Sequence, residues 1–271
     1  CSKLPYKSKT EENQEYTDHS ENGRKSREGR SMRRLRKKNA VIFTGVAILS
    51  AICIAIMPSV EKKISAPSSR TFQWRSFEEE QDTLSDYQTI NNEVKYLIEF
   101  QNEDGMVQMP ILVSSNPDYY MLHNVDKEYD TMGALFIDET QCPDNGSNNR
   151  IVFGHSSKTK DYNFTFLKEY AQKEYYDRFG TLTLSDDISS RTYQIVSFAR
   201  YDLDDEDVYL GWHNNLFATD QDARNMFLET KPYLLQKADG AVYSGQQILT
   251  LVTCDMSAEN ARFVLTALEV F

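Results

Sequence analysis

Cys254 ends an apolar, β-branched run, Gln246 to Cys254 (QQILTLVTC), and Arg262 opens the next, Ala261 to Phe271 (ARFVLTALEVF). Both runs carry residues that favour strands, and the polar segment Asp255 to Asn260 between them reads as a turn. If the strands pair, a thiol and a guanidinium lie on neighbouring backbones at one edge of a sheet. That pair suits nucleophilic attack on a carbonyl: the thiolate attacks, and a fixed cation meets the oxyanion that develops. A proton carrier completes the set, and His155 stands at the end of another apolar run, Arg150 to Ser157 (RIVFGHSS).

Each of the three also has a plainer reading. Cys254 could be a buried core thiol, or could bridge Cys142. Arg262 could form a surface ion pair with Glu259 or Asp255. His155 could be a loop histidine; of the others, His123 lies within a strand pattern, His213 in a later insertion and His19 in a polar tail. A free thiol has a pKa near 8.5 and needs help to react at neutral pH, which neighbouring positive charge supplies. No CxxC or HxxxH spacing occurs, so neither a metal nor another cofactor is expected.

The elements that must position these residues are unevenly charged. Residues 1–38 hold twelve Lys/Arg against six Asp/Glu, residues 39–60 hold neither, and residues 61–271 hold eighteen against thirty-five. The acidic bulk excludes a general nucleic-acid footprint. Ala40 to Met57 runs for eighteen residues without a charge, about the minimum that crosses a bilayer as a helix. Arg33, Arg34, Arg36, Lys37 and Lys38 precede it, which places residues 1–39 in the cytoplasm as a disordered basic tail and the remainder outside the cell. The expected order is tail, transmembrane signal-anchor 40–57, linker 58–75 and an extracellular domain 76–271.

Within that domain, Leu84, Tyr87, Ile90, Val94, Leu97 and Ile98 recur at helical spacing. They predict an N-terminal helix over about 76–101, with Ser76 and Glu79 as a capping box. Predicted strands follow at Met106–Ser115, Tyr119–Val125, Ala134–Asp138, Arg150–His155, Thr181–Ser185 and Thr192–Asp202, before the closing pair. A short helix carries Phe164, Leu167 and Tyr170, and a second spans about Asp220 to Gln236. About eight strands with a few inserted helices predict a mainly β fold, a closed β-barrel over about 106–271.

Thr250-Leu251-Val252-Thr253-Cys254 matches the pattern TLxTC, followed by Arg262 and preceded far upstream by Gly154-His155. In this order, behind an N-terminal anchor, these residues resemble the sortases, cell-surface cysteine transpeptidases of Gram-positive bacteria. The resemblance runs over roughly residues 76–271 and is nearest to class B. It rests there on the N-terminal helix, on DYYMLHNVDKEYDTMGALFID (Asp118 to Asp138) and on the helix-bearing insertion between Ser197 and Gln246. Val252 departs from the Ser of some class B members. The resemblance implies an eight-stranded sortase-type barrel.

It further implies that Cys254 attacks the Thr carbonyl of a C-terminal sorting signal, NPxTx- or LPxTx-like, on a surface protein. His155 then serves as general acid and base, and Arg262 holds the oxyanion. The acceptor is an amine of a peptidoglycan precursor, or of a pilin if the enzyme polymerises pili. Asn116, Tyr209, Leu210 and Thr253 fall at substrate-binding positions. A hydrolytic cysteine endopeptidase and a non-enzymatic surface β-barrel are the competing readings.

Overall fold

The structure, a computed structural model, describes residues 76, 82–103, 105–139, 147–159, 161–205 and 233–270. The tail 1–39, the apolar run 40–57 and the linker 58–75 lie outside the described residues. No helix among the described ones is long and apolar enough to cross a membrane.

Helix α1 (Leu84–Ile90) leads into β1 (Val94–Asn102), β2 (Gly105–Ser114), β3 (Leu135–Asp138) and β4 (Asn149–Phe153). A 3-10 helix (Thr165–Ala171) and α2 (Lys173–Arg178) follow, then β5 (Thr181–Ser185), β6 (Ser190–Asp202), β7 (Leu234–Lys237), β8 (Ile248–Cys254) and β9 (Ala261–Glu269). The strands form one sheet in the order β5-β1-β2-β3-β4-β8-β9-β6-β7, and a β5–β6 pairing closes the first eight into a barrel. Strand β7 adds to β6 beyond the stretch that β5 covers. The sheet is mainly antiparallel, with parallel pairs β2–β3 and β4–β8.

Alternate residues of each strand face the interior, as the period of two requires. Ile98, Met109, Ile137, Val152, Leu251 and Leu265 belong to that inner cluster, joined by Phe164, Phe166 and Tyr170 from the helical segment after β4. A second cluster lies on the outer face of β4, β8, β9 and β6, where Ile151, Val252, Val264 and Tyr201 are covered by Tyr243 and neighbours. A third packs α1 and the β2–β3 connection against the barrel through Tyr87, Leu112, Tyr120 and Phe136.

Three sequence-based expectations need correction. Among the described residues the helix expected over 76–101 is only α1, held by a capping box between Thr83 and Asp86, and its second half is strand β1; Glu79 of the expected capping box lies outside the described residues. A register shift between Val94 and Tyr96 turns Val94 and Leu97 to the same outer cluster. The three-residue spacing that imitates a helix is thus a β-bulge, while Tyr96, Ile98 and Phe100 keep the strand period.

The expected strand Tyr119–Val125 is instead a 3-10 helix, Pro117–Met121, with turns after it. Parallel strands β2 and β3 need a crossover, and this segment is that connection. The helix expected over Asp220–Gln236 lies outside the described residues up to 232, and its last residues belong to β7. The closing hairpin, β2 to β6 and the closed barrel agree with the sequence reading.

Leu265 is fully buried on β9, directly opposite Leu251. Leu265→Ala is expected to lose about 2–5 kcal/mol in urea unfolding. A loss below about 1 kcal/mol would mean that the barrel interior is not closely packed there.

Candidate active site

Three adjacent strands, β4, β8 and β9, carry the site. In the β8–β9 ladder Cys254 stands directly opposite Arg262, so their Cα atoms are about 4.5–5.5 Å apart. On the other side β4 runs parallel to β8 with Phe153 level with Val252, and the Gly154 N–H still donates to the Val252 carbonyl at 3.1 Å. Continued for two residues, that register puts His155 level with Cys254.

Strand alternation fixes the face. Val252 and Val264 pack in the outer cluster, so Cys254 and Arg262, each two residues away on the same strands, fall on that same side. The structure therefore pairs Cys254 with Arg262 across β8 and β9, and it places His155 two residues beyond the end of β4, the strand beside β8.

Gly154 explains the tightness of the histidine segment. A Cβ there would lie 2.4 Å from Leu135 Cδ2 and 2.7 Å from Phe164 Cδ2, both buried side chains. Beyond it, the His155 carbonyl accepts from the Phe164 N–H at 3.1 Å. The imidazole Nε2–H donates to the Met121 carbonyl at 2.8 Å. A carbonyl only accepts, so that contact assigns the proton to Nε2 and leaves Nδ1 as the open nitrogen of the neutral ring. Burial lowers the pKa of His155 from its ordinary value, against the opposing pull of the Met121 carbonyl and of Asp130.

Arg262 is half-buried, and burial lowers its pKa as well; a guanidinium nonetheless stays charged at neutral pH. Its Nη1 donates to the Ala261 carbonyl at 2.9 Å, and among the described residues no carboxylate forms an ion pair with it. The two acids considered for that role are otherwise disposed. Asp255 is buried and accepts from Arg200 Nε at 2.7 Å and from the Ser257 N–H and Oγ at 2.8 and 2.7 Å. Burial pushes its pKa up, but these bonds outweigh it and hold the carboxyl below its usual range. Glu259 is exposed on the turn. The Arg262 cation is thereby kept from neutralisation by the acid nearest in sequence to Cys254.

Cys254 is disulfide-bonded in this structure, and its partner lies outside the described residues, as does Cys142. The chemistry of the site belongs to the reduced form.

The expected substrate positions fare differently. Asn116 is exposed and caps the 3-10 helix at the end away from Met121. Tyr209 and Leu210 lie outside the described residues. Thr253 is buried, and its hydroxyl has no hydrogen-bond partner. By alternation it faces the interior with Leu249 and Leu251, away from Cys254. The Met121 carbonyl was not anticipated, since a main-chain acceptor leaves no mark in residue types.

A family model described as Sortase domain matches residues 107–270. The chain belongs to the sortase family. It is similar to Sortase B of Listeria monocytogenes, 26% identical over 190 residues, covering 69% of this chain and 74% of that protein. It is likewise similar to Sortase B of Staphylococcus aureus, 25% identical over 160 residues, covering 58% and 63% respectively. Among solved structures, a mutant form of Clostridium perfringens sortase B superposes with TM-score 0.60 at 24% identity, covering 69% of this chain and 86% of that one. A Staphylococcus aureus sortase B–substrate complex gives TM-score 0.59 at 21% identity, covering 69% and 84%. At these identities the structures speak for the fold alone. Relatives and structural neighbours agree with the class B resemblance, and sortases are cysteine transpeptidases.

Gly154→Ala is expected to cost about 1–3 kcal/mol through overpacking. It should also move the NMR titration midpoint of His155, which burial lowers, back toward the ordinary value for an imidazole. A destabilised variant with an unmoved midpoint would show that the glycine does not set the histidine.

Proposed function

We propose that this sortase is a membrane-anchored transpeptidase that joins surface proteins to a cell-wall amine. The observation that carries this reading is the pairing of Cys254 with Arg262, beside β4, whose end lies two residues before His155. In the first step the reduced Cys254 passes its thiol proton to His155 Nδ1, and the thiolate attacks the Thr carbonyl of an NPxTx- or LPxTx-like signal. Arg262 takes the developing negative charge on the carbonyl oxygen. As the tetrahedral intermediate collapses, the C–N bond breaks, His155 gives a proton to the departing amine, and a thioester remains. An incoming amine then attacks that thioester, His155 accepts its proton, and the sulfur leaves as the new amide forms.

Proton transfer falls to Nδ1 of His155, because Nε2 is held by Met121. Burial keeps the imidazole neutral at pH 7, so the reactive thiolate–imidazolium pair is a minority state unless substrate stabilises it. Asn116, Tyr209, Leu210 and the main chain of Thr253 contribute to the substrate groove. The run 40–57 anchors the chain with its N-terminus inside, and the acidic domain works on the extracellular face.

The test is turnover of fluorogenic sorting peptides by the reduced protein. Cys254→Ala is expected to abolish cleavage; equal cleavage by the variant would end the nucleophile assignment. Addition of an amine should speed turnover and yield a ligated product, whereas unchanged turnover means hydrolysis. Arg262→Ala should lower kcat by roughly 10²–10³-fold. Arg262→Lys should recover only part of that, since a point charge lacks the planar fork; full activity in the Lys variant would remove the oxyanion role.

A further inference from the structure

Behind the Met121 carbonyl lies a buried polar cluster that the reaction itself does not use. Tyr120 is fully buried; its hydroxyl donates to the Glu93 carboxylate and accepts from Asn91 Nδ2 at 2.9 Å. At its other end the Tyr120 carbonyl accepts from the Ala134 N–H at 3.0 Å. Asn91, also buried, donates to the Val125 carbonyl at 3.1 Å, and its Oδ1 accepts from the Glu93 N–H at 3.0 Å. Glu93 further accepts from Ser114 Oγ at 3.0 Å and faces Lys127 Nζ at 3.5 Å. The α1–β1 junction is thus bolted to the β2–β3 crossover through one phenol.

Met121 is the next residue along. Gly133 presses on the same spot with φ +56°: a Cβ there would lie 2.2 Å from the Tyr120 oxygen and 2.9 Å from the Met121 oxygen. With residue 120 held at both ends and Gly133 against the backbone, the Met121 carbonyl has little freedom. Packing alone would be met by a phenylalanine. A buried hydroxyl costs free energy unless it is paired, and here it has both buried Asn91 and half-buried Glu93.

We propose that Tyr120, with Asn91 and Glu93, is a positioning element that aims the Met121 carbonyl at His155 Nε2 and so keeps Nδ1 available for proton transfer. This rests on His155 being the general acid and base. Among the described residues, the charged group that acts on the ring is Asp130 from the crossover. Asp130 favours the imidazolium while burial opposes it, so the Met121 bond decides where the proton sits in the neutral ring.

The experiment uses the full reduced chain with ¹⁵N-labelled histidine. In the native protein, neutral His155 should be the Nε2–H tautomer. Tyr120→Phe should mix the tautomers, lower the titration midpoint, and reduce kcat by about ten- to a hundred-fold with KM within about twofold. Thr250→Val is the control: it removes a buried hydrogen bond to Asn149, 2.7 Å, toward the other end of β4 and β8. It should cost stability without touching the tautomer or the pH profile. Should Tyr120→Phe not fold, Asn91→Ser is read in the same way.

An Nδ1–H tautomer in the native protein would overturn the proposal. So would a Tyr120→Phe variant whose tautomer and midpoint are native while its activity falls no more than that of Thr250→Val. The tautomer is read without substrate, so a failure of the transpeptidase reading leaves this result separately visible.

Discussion

The parallel register between β4 and β8 is the constraint on which the site depends. It sets Phe153 level with Val252, and the antiparallel ladder beyond sets Cys254 opposite Arg262. A slip of one residue in either pairing would turn one member of the set to the other face of the sheet. Both faces of these strands are buried, the inner in the barrel core and the outer under Tyr243 and its neighbours. A slip would therefore carry core side chains to the wrong layer, and the hydrophobic packing that stabilises the barrel also holds the three residues in line.

Electrostatics at the site follow from burial and from where the acids are sent. The domain is strongly acidic, yet Asp255, one residue from the nucleophile, is engaged by Arg200 and Ser257. Arg262 keeps its charge, and burial strengthens any interaction it makes. His155 is treated differently: burial favours its neutral form, and a main-chain carbonyl selects the tautomer. One site thus holds a permanent cation and a proton carrier, each made so by its surroundings.

Several elements were legible in the chain. The β-branched runs around Thr250 and Val264 read as a hairpin, and the hairpin is there. Only seven residues separate Cys254 from Arg262, so their proximity followed from local pairing. The segment Val94–Phe100 was not legible, because a β-bulge gave Val94 and Leu97 the spacing of a helix. The segment Tyr119–Val125 read as strand because it is rich in aromatic and apolar residues, whereas the need for a crossover between parallel strands is a property of the sheet. Strand β7 is only four residues long with a half-exposed pattern, too short for periodicity to show.

By itself the sequence determined the residue chemistry and the local pairing: a thiol, a guanidinium and an imidazole at strand ends, and a closing hairpin that places the first two side by side. Strand propensity and a short turn act over a few residues, so they can be read along the chain. Only the tertiary structure decided that β4 lies against β8 rather than another strand, which joins His155 to residues about a hundred positions away. It alone decided that Thr253 turns inward, that Asp255 belongs to Arg200, and that the proton of His155 is held by the carbonyl of Met121. Those choices follow from closing the barrel and filling its interior, and neither condition is written in any one stretch of the chain.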